Sequence, residues 1–193
     1  MVAEARRQAP ANTRWVHARA EELPLGLGAF RTATFAQSFH WLERERVAAT
    51  VLEMLEPGGA WVHVDAKTHR GVATDAPLGR PQPPRDEIDE LVARYLGSGR
   101  QGGPSGEAEI MLAAGFEGPR RRLVAGERVL DRSEDEVVAS VFAVSGSAPP
   151  LFRARLAEFE SELRELLRRT APDGRFREVA PPVELIVWTR LEG

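Results

Sequence analysis

The stretch from Ala29 to Asp65, AFRTATFAQSFHWLERERVAATVLEMLEPGGAWVHVD, constrains the fold of this chain more than any other. It reads as strand, loop, helix, tight turn and strand, which is one crossover unit of a parallel sheet. Thr32 to Gln37 is a short β-prone run of Thr, Ala and Phe. It ends at Ser38, Phe39, His40 and Trp41, where polar and aromatic groups replace strand formers. From Glu43 to Leu55 the apolar residues Val47, Ala48, Val51, Leu52 and Leu55 recur at helical spacing, and Glu43 and Glu45 complement the dipole of the first turn. One face of that helix is therefore buried. Pro57-Gly58-Gly59 is expected to stop it, because Pro cannot continue a helix and Gly supplies the backbone angles of a reversal. Ala60 to Val64 then re-enters the sheet.

In open α/β sheets ligands sit outside the carboxyl ends of the strands, so His40 and Trp41 are candidate ligand-lining residues. The alternative makes Phe39 and Trp41 core aromatics and His40 a satisfied hydrogen-bonding group. His63 and Asp65, two apart on one strand, point to the same side and invite a metal. Zinc needs three or four protein ligands, and the spacing places no third one, so the expectation is a structural histidine, a loop-facing aspartate and no metal.

A chain of 193 residues is by default one domain, able to bury roughly 70% of its unfolded surface. It contains no cysteine, which excludes disulfides, thiolate metal sites and cysteine nucleophiles. Positive charge is almost all arginine, with Lys67 the only lysine, and the net charge of -3 makes no electrostatic case for nucleic acid. No apolar run approaches membrane-spanning length and no basic-then-apolar signal opens the chain, so a cytoplasmic location without a membrane partner is expected.

Along the rest of the chain, Val2 to Ala9 reads as a surface helix ended by Pro10, and Trp15 to Ala18 as a brief strand. Thr68 to Pro84 is a long loop rich in Gly, Pro and Arg. A helix from Pro84 to Leu96 buries Ile88, Leu91, Val92 and Tyr95 and is capped by Gly97. A second Gly-rich stretch, Gly97 to Gly106, precedes a short helix ending at Gly115-Phe116. Leu123 to Leu130 reads as one strand broken at Gly126. Ser133-Glu134-Asp135-Glu136 is a capping box opening a helix that buries Val137, Val138, Val141 and Phe142. After Pro149-Pro150, the residues Phe152, Leu156, Phe159, Leu163 and Leu166 follow helical spacing over too few heptads for a coiled coil, so core packing is expected. Val183 to Thr189 is an apolar run of the kind buried on both faces.

Three segments, AEELPL at Ala20 to Leu25, FAQSFHW at Phe35 to Trp41 and MLEPGGAWVHVD at Met54 to Asp65, resemble in order and spacing the class I S-adenosylmethionine-dependent methyltransferases, in particular the methyltransferase type 11 group. AAGF at Ala113 to Phe116 and VELIVWTR at Val183 to Arg190 extend the resemblance over nearly the whole chain. It implies a truncated Rossmann-like α/β fold: a mostly parallel sheet with an antiparallel carboxyl-terminal strand and helices on both faces. The family's strand order is 3-2-1-4-5-7-6. Its Gly-x-Gly-x-Gly cofactor turn and the acidic residue ending its second strand have no counterpart here, and MVAEARRQAP is similar to the helix that follows that strand. The expectation is that the reading frame continues upstream of Met1 through two strands and a helix, roughly 30 to 40 residues. Thr32 to Gln37 then becomes an edge strand, four strands are paired, Trp15 to Ala18 lies adjacent or loose, and the bare edge invites self-association.

The resemblance further implies one methyltransferase-like domain over 1–193, with 1–66 the remaining cofactor half, 67–122 a loop-rich substrate-side insertion and 123–193 the terminal strands and helices. Ala20 and Glu21 would lie beside the adenine of S-adenosyl-L-methionine, with Arg19 standing where the family has Asp; solvated loop charges are the alternative. Gln37, Ser38 and Phe39 would border the methionine end, and His40, Trp41 and Asp65 would line the substrate. The implied function is methyl transfer to a small-molecule acceptor. The alternative is a non-catalytic binding or interaction protein, completed by another chain. Transfer from a sulfonium rests on positioning and desolvation, so the sequence names no catalytic base.

Overall fold

The computed structural model describes residue 7 and residues 9–66, 69–97, 106–124, 126 and 128–192. The expected helix at Val2 to Ala9 and most of the Gly-rich stretch Gly97 to Gly106 lie outside these residues. By the contacts its residues make, the chain divides into two compact units, each assembled from separate stretches of sequence: residues 1–63, 106–120 and 186–193 in one, 64–105 and 121–185 in the other. The sequence reading has a single domain with an insertion.

The first unit is built on the crossover. Strand β1 covers Phe30–Ala36, helix α1 Arg44–Met54 and strand β2 Leu55–Asp65. Helix α1 buries Val47, Ala48 and Val51 as its spacing predicts, but Met54 rather than Leu52 completes the buried face, Leu52 being half-buried. Pro57-Gly58-Gly59 does not separate helix from strand as expected. Strand β2 starts directly at Leu55 and carries these residues within it. Gly58 has a φ of 71°, and a Cβ on Gly59 would lie 2.7 Å from the Glu56 carbonyl and 3.2 Å from the Arg31 carbonyl, so only glycine lets this part of β2 lie so close to that backbone. The carbonyls at the end of α1 are met by a distant guanidinium. Arg190 Nη1 donates to Leu52 O at 3.1 Å, to Glu53 O at 3.2 Å and to Leu55 O, placing a cation on the negative end of the helix dipole.

Helix α2 covers Arg85–Leu96 and α3 Glu107–Ala114, the latter bounded by Gly106 and Gly115 in left-handed conformations. Strand β3 covers Phe116–Val124 and β4 Val129–Ser133. This overturns the expectation of one strand at Leu123 to Leu130. The two strands belong to different sheets, and the chain redirects at Gly126, where an added Cβ would sit 2.1 Å from the Pro181 carbonyl. Helix α4 covers Glu134–Phe142, α5 Leu156–Thr170, strand β5 Arg175–Val179 and β6 Val183–Arg190.

The larger sheet has the order β1-β2-β6-β3 and is mostly parallel with antiparallel strands. This is the 4-5-7-6 part of the order that the resemblance implies, with β1 at an edge. Trp15 to Ala18 forms no strand. Strand β6 was expected to be buried on both faces, but only Trp188 is buried and its other positions are half-exposed. The core of the first unit contains Phe39, Val51, Leu55, Trp61, Met111, Phe116 and Trp188. Burying an aromatic or large aliphatic side chain of this kind contributes roughly 1.5 to 3 kcal/mol.

The second unit packs α2, α4 and α5 around Ile88, Leu91, Val137, Val141, Phe152, Phe159, Leu163, Leu167 and Phe176. Helix α5 buries Phe159, Leu163 and Leu167, whereas Leu156 and Leu166 are half-buried. Strands β4 and β5 pair antiparallel, Val129 opposite Val179 through Ser133 opposite Arg175. The capping box forms as read: Ser133 Oγ accepts from the Glu136 amide at 3.2 Å, and Glu136 Oε2 accepts from the Ser133 amide at 2.7 Å.

Candidate functional site

Strand β1 delivers the chain to its carboxyl end at Ala36, and the next residue turns sharply. Gln37 has a φ of 52°, a conformation in which a side chain with a Cβ is strained by about 1 to 2 kcal/mol. Strain of this kind gathers at ligand-binding sites, where the surroundings hold it in place. A 3-10 turn follows at Phe39–Trp41, entered from Ser38. The three residues point differently. Phe39 is buried, His40 is half-buried and Trp41 is 68% exposed. Phe39 is thus a core aromatic, in edge contact with Phe35 at 5.8 Å and Trp61 at 4.9 Å between ring centroids. His40 and Trp41 lie 4.8 Å apart by the same measure and form the outward-facing part of the loop.

Ala20 and Glu21 fall in a 3-10 turn at Ala20–Glu22. The Glu21 carboxylate is already engaged: Oε1 accepts from the Glu43 amide at 3.3 Å and Oε2 lies 3.4 Å from Arg19 Nε. Hydrogen bonds from its own amide and from that of Glu43 are the main causes that hold its pKa below the usual carboxylate value. Glu21 therefore acts as the missing cap of α1, whose own N-cap residue, Glu43, makes no side-chain capping bond. Asp65 is the exposed last residue of β2 and groups with the second unit, whereas Ala20, Glu21 and Gln37 to Trp41 all belong to the first.

The side chain that the sequence reading left structural has the most altered chemistry in the first unit. His63 is buried among Phe35, Phe39 and Trp61, with ring centroids at 6.5, 5.3 and 5.4 Å. Its Nε2 lies 3.2 Å from Glu107 Oε1, but out of line for a hydrogen bond. Burial therefore dominates and pushes His63 down from 6.5 to about 4, leaving the imidazole neutral at ordinary pH. Glu107 is 44 positions away in sequence, so the partner was not visible from spacing. Among the described residues no group of three or more His, Asp or Glu is placed to hold a metal ion, and no single helix is long and apolar enough to cross a membrane.

Residues 1–63 match the family described as methyltransferase domain. No curated protein matches the chain. Among solved structures, it is similar to a protein from Anaeromyxobacter dehalogenans provisionally described as a type II methyltransferase, with 19% identity, a TM-score of 0.55 and coverage of 97% of this chain and 77% of that one. Other similar structures are a provisionally described methyltransferase from Bacillus halodurans, with 14% identity, a TM-score of 0.46 and coverage of 98% and 76%, and the YcgJ protein of Bacillus subtilis, with 16%, 0.46, 99% and 76%. Residues 1–63 thus match the methyltransferase domain in sequence, and the chain shares the fold of the Anaeromyxobacter dehalogenans protein.

Proposed function

We propose that the protein serves S-adenosylmethionine-dependent methyl transfer to a small-molecule acceptor. The observation that carries this reading is the strained turn at Gln37, at the carboxyl end of β1 and inside the segment that matches the methyltransferase domain. When bound, S-adenosylmethionine supplies an electrophilic methyl group on a sulfonium. The residues present fit one part of it. The Gln37–Phe39 backbone would border the methionine end, Phe35 and Phe39 would form an apolar wall that excludes water, and His40 and Trp41 would face the acceptor. Such a transfer needs orientation and a dry site rather than a strong base, so the neutral His63 suits the wall without acting on the substrate.

The remainder fits less well. The Glu21 carboxylate is spent on α1 and Arg19 rather than turned toward a ligand. This favours a second reading, a non-catalytic methyltransferase-like protein that binds a ligand or partner other than this cofactor. Calorimetric titration with S-adenosylhomocysteine separates the two. A Kd near 1 μM, about 8 kcal/mol of binding, supports the catalytic reading, and absence of saturation to about 1 mM supports the second.

A further inference from the structure

The second unit contains a cavity of about 470 Å³ that none of the expected site residues lines. Its volume falls in the range of small-molecule pockets, roughly 300 to 1,000 Å³. One wall is the length of α2, a span of about 16 Å at 1.5 Å per residue, and the other is the end of α4 with the turn that follows it. The two ends differ in chemistry. Along α2 the lining runs from Arg85 at its start and Asp89 one turn on through Val92 and Ala93 to Leu96, with Val141 and Val144 across from the helix.

The polar end carries a net positive charge. Arg70, which also lines it, pairs with Asp89 at 2.9 Å. Arg85 donates to Ser140 Oγ at 3.2 Å and to the Glu178 carboxylate at 2.8 Å, but Glu178 is shared with Arg132 at 3.0 Å, so two guanidinium groups face one carboxylate. Within the lining itself, Arg70 and Arg85 stand against one carboxylate, Asp89, beside apolar side chains. A ligand cation would meet two guanidinium groups against one lining carboxylate, whereas a ligand carboxylate can accept further N–H donors from Arg70 and Arg85 beside their present partners.

We propose that this cavity binds an amphipathic organic anion, a carboxylate on a linear or compact apolar body, with the carboxylate at Arg70 and Arg85 and the body along Val92, Ala93 and Leu96. The site lies within the second unit and does not depend on the methyl-transfer reading.

Decanoate tests it, titrated calorimetrically into the full chain, with decyltrimethylammonium as the matched cation. Decanoate is expected to saturate one site per chain below about 1 mM and to bind at least about tenfold more tightly than the cation. Ala93→Trp, which fills the middle of the cavity, is expected to weaken decanoate at least about tenfold, and Arg70→Gln to narrow the gap between the anion and the cation. Val144→Phe fills the same space from the opposite wall and replaces Ala93→Trp if that variant does not fold by circular dichroism. No saturable decanoate binding, equal affinity for the cation, or unchanged affinity in a folded cavity-filling variant overturns the proposal.

Discussion

Replacing Glu178 by alanine is expected to destabilise the second unit more than any other single change at a charged residue described above. The Glu178 side chain is 2% exposed and accepts three hydrogen bonds, from Arg85 Nη2 at 2.8 Å, Arg132 Nε at 3.0 Å and the Gly71 amide at 2.8 Å. The last bond requires glycine, since a Cβ on Gly71 would lie 2.5 Å from Glu178 Cβ. Burial alone would raise the Glu178 pKa, but the Arg85 hydrogen bond and charge, followed by the Gly71 amide and Arg132, outweigh it and hold the carboxyl below its usual value. Truncation leaves two largely buried cations and one amide without their acceptor. Breaking a buried pair from one side costs about 3 to 5 kcal/mol. At about 2 to 4 °C per kcal/mol for a chain of 193 residues, the midpoint of thermal unfolding should fall by roughly 6 to 20 °C, followed through the helical circular dichroism signal that α2, α4 and α5 contribute. Glu178→Gln retains an acceptor but loses the charge and should fall between the variant and the wild type. Because the folded pKa is depressed, the contribution is present above the unfolded carboxyl value near 4.5 and is lost as the pH falls through the lower folded value. An alanine variant within about 1 kcal/mol of the wild type would refute the assignment of Glu178 as the hub of this network.

Titration of His63 should act at higher pH. With its folded pKa near 4 against 6.5 unfolded, the unfolded chain takes up the proton first, so stability is complete above about 6.5 and declines toward pH 4 by at most about 3 kcal/mol. His63→Phe should flatten urea-denaturation midpoints across that window, and an unchanged slope would count against the buried neutral imidazole. Ser133→Ala removes the oxygen that caps α4 and should cost about 1 kcal/mol in chemical denaturation. A cost near zero would mean that the helix start is held by other contacts.

Sequence reading succeeded where a local signal and a tertiary role coincide. The stripe of α1, the capping box at Ser133 and the glycine ends of α2 and α3 each rest on residues within one or two turns. Where the deciding neighbour is remote, reading failed. Leu123 to Leu130 looks like one apolar strand because the Pro181 carbonyl that lies against Gly126 is 55 positions on. The apolar run of β6 reads as doubly buried, yet one residue of it, Trp188, meets the core. In the candidate site, the loop after β1 was legible, whereas Phe39 and Trp41, read as alike, divide into one buried and one exposed ring. The diversion of Glu21 to Glu43 and the approach of Glu107 to His63 were not legible, since both are set by packing between elements.

The way the first unit is threaded bears on how it is made. Its core needs Val51 and Trp61 from the first third of the chain, Met111 and Phe116 from the middle, and Trp188 from the last few residues. During synthesis the early crossover emerges with its apolar face uncovered and must wait for more than a hundred further residues before Trp188 arrives. Contacts so far apart in sequence make assembly slow and leave sticky intermediates. For the same reason, the stretch that matches the methyltransferase domain, residues 1–63, is a recognisable sequence but not a separable folding piece, and a fragment ending there would lack the side chains that close its core.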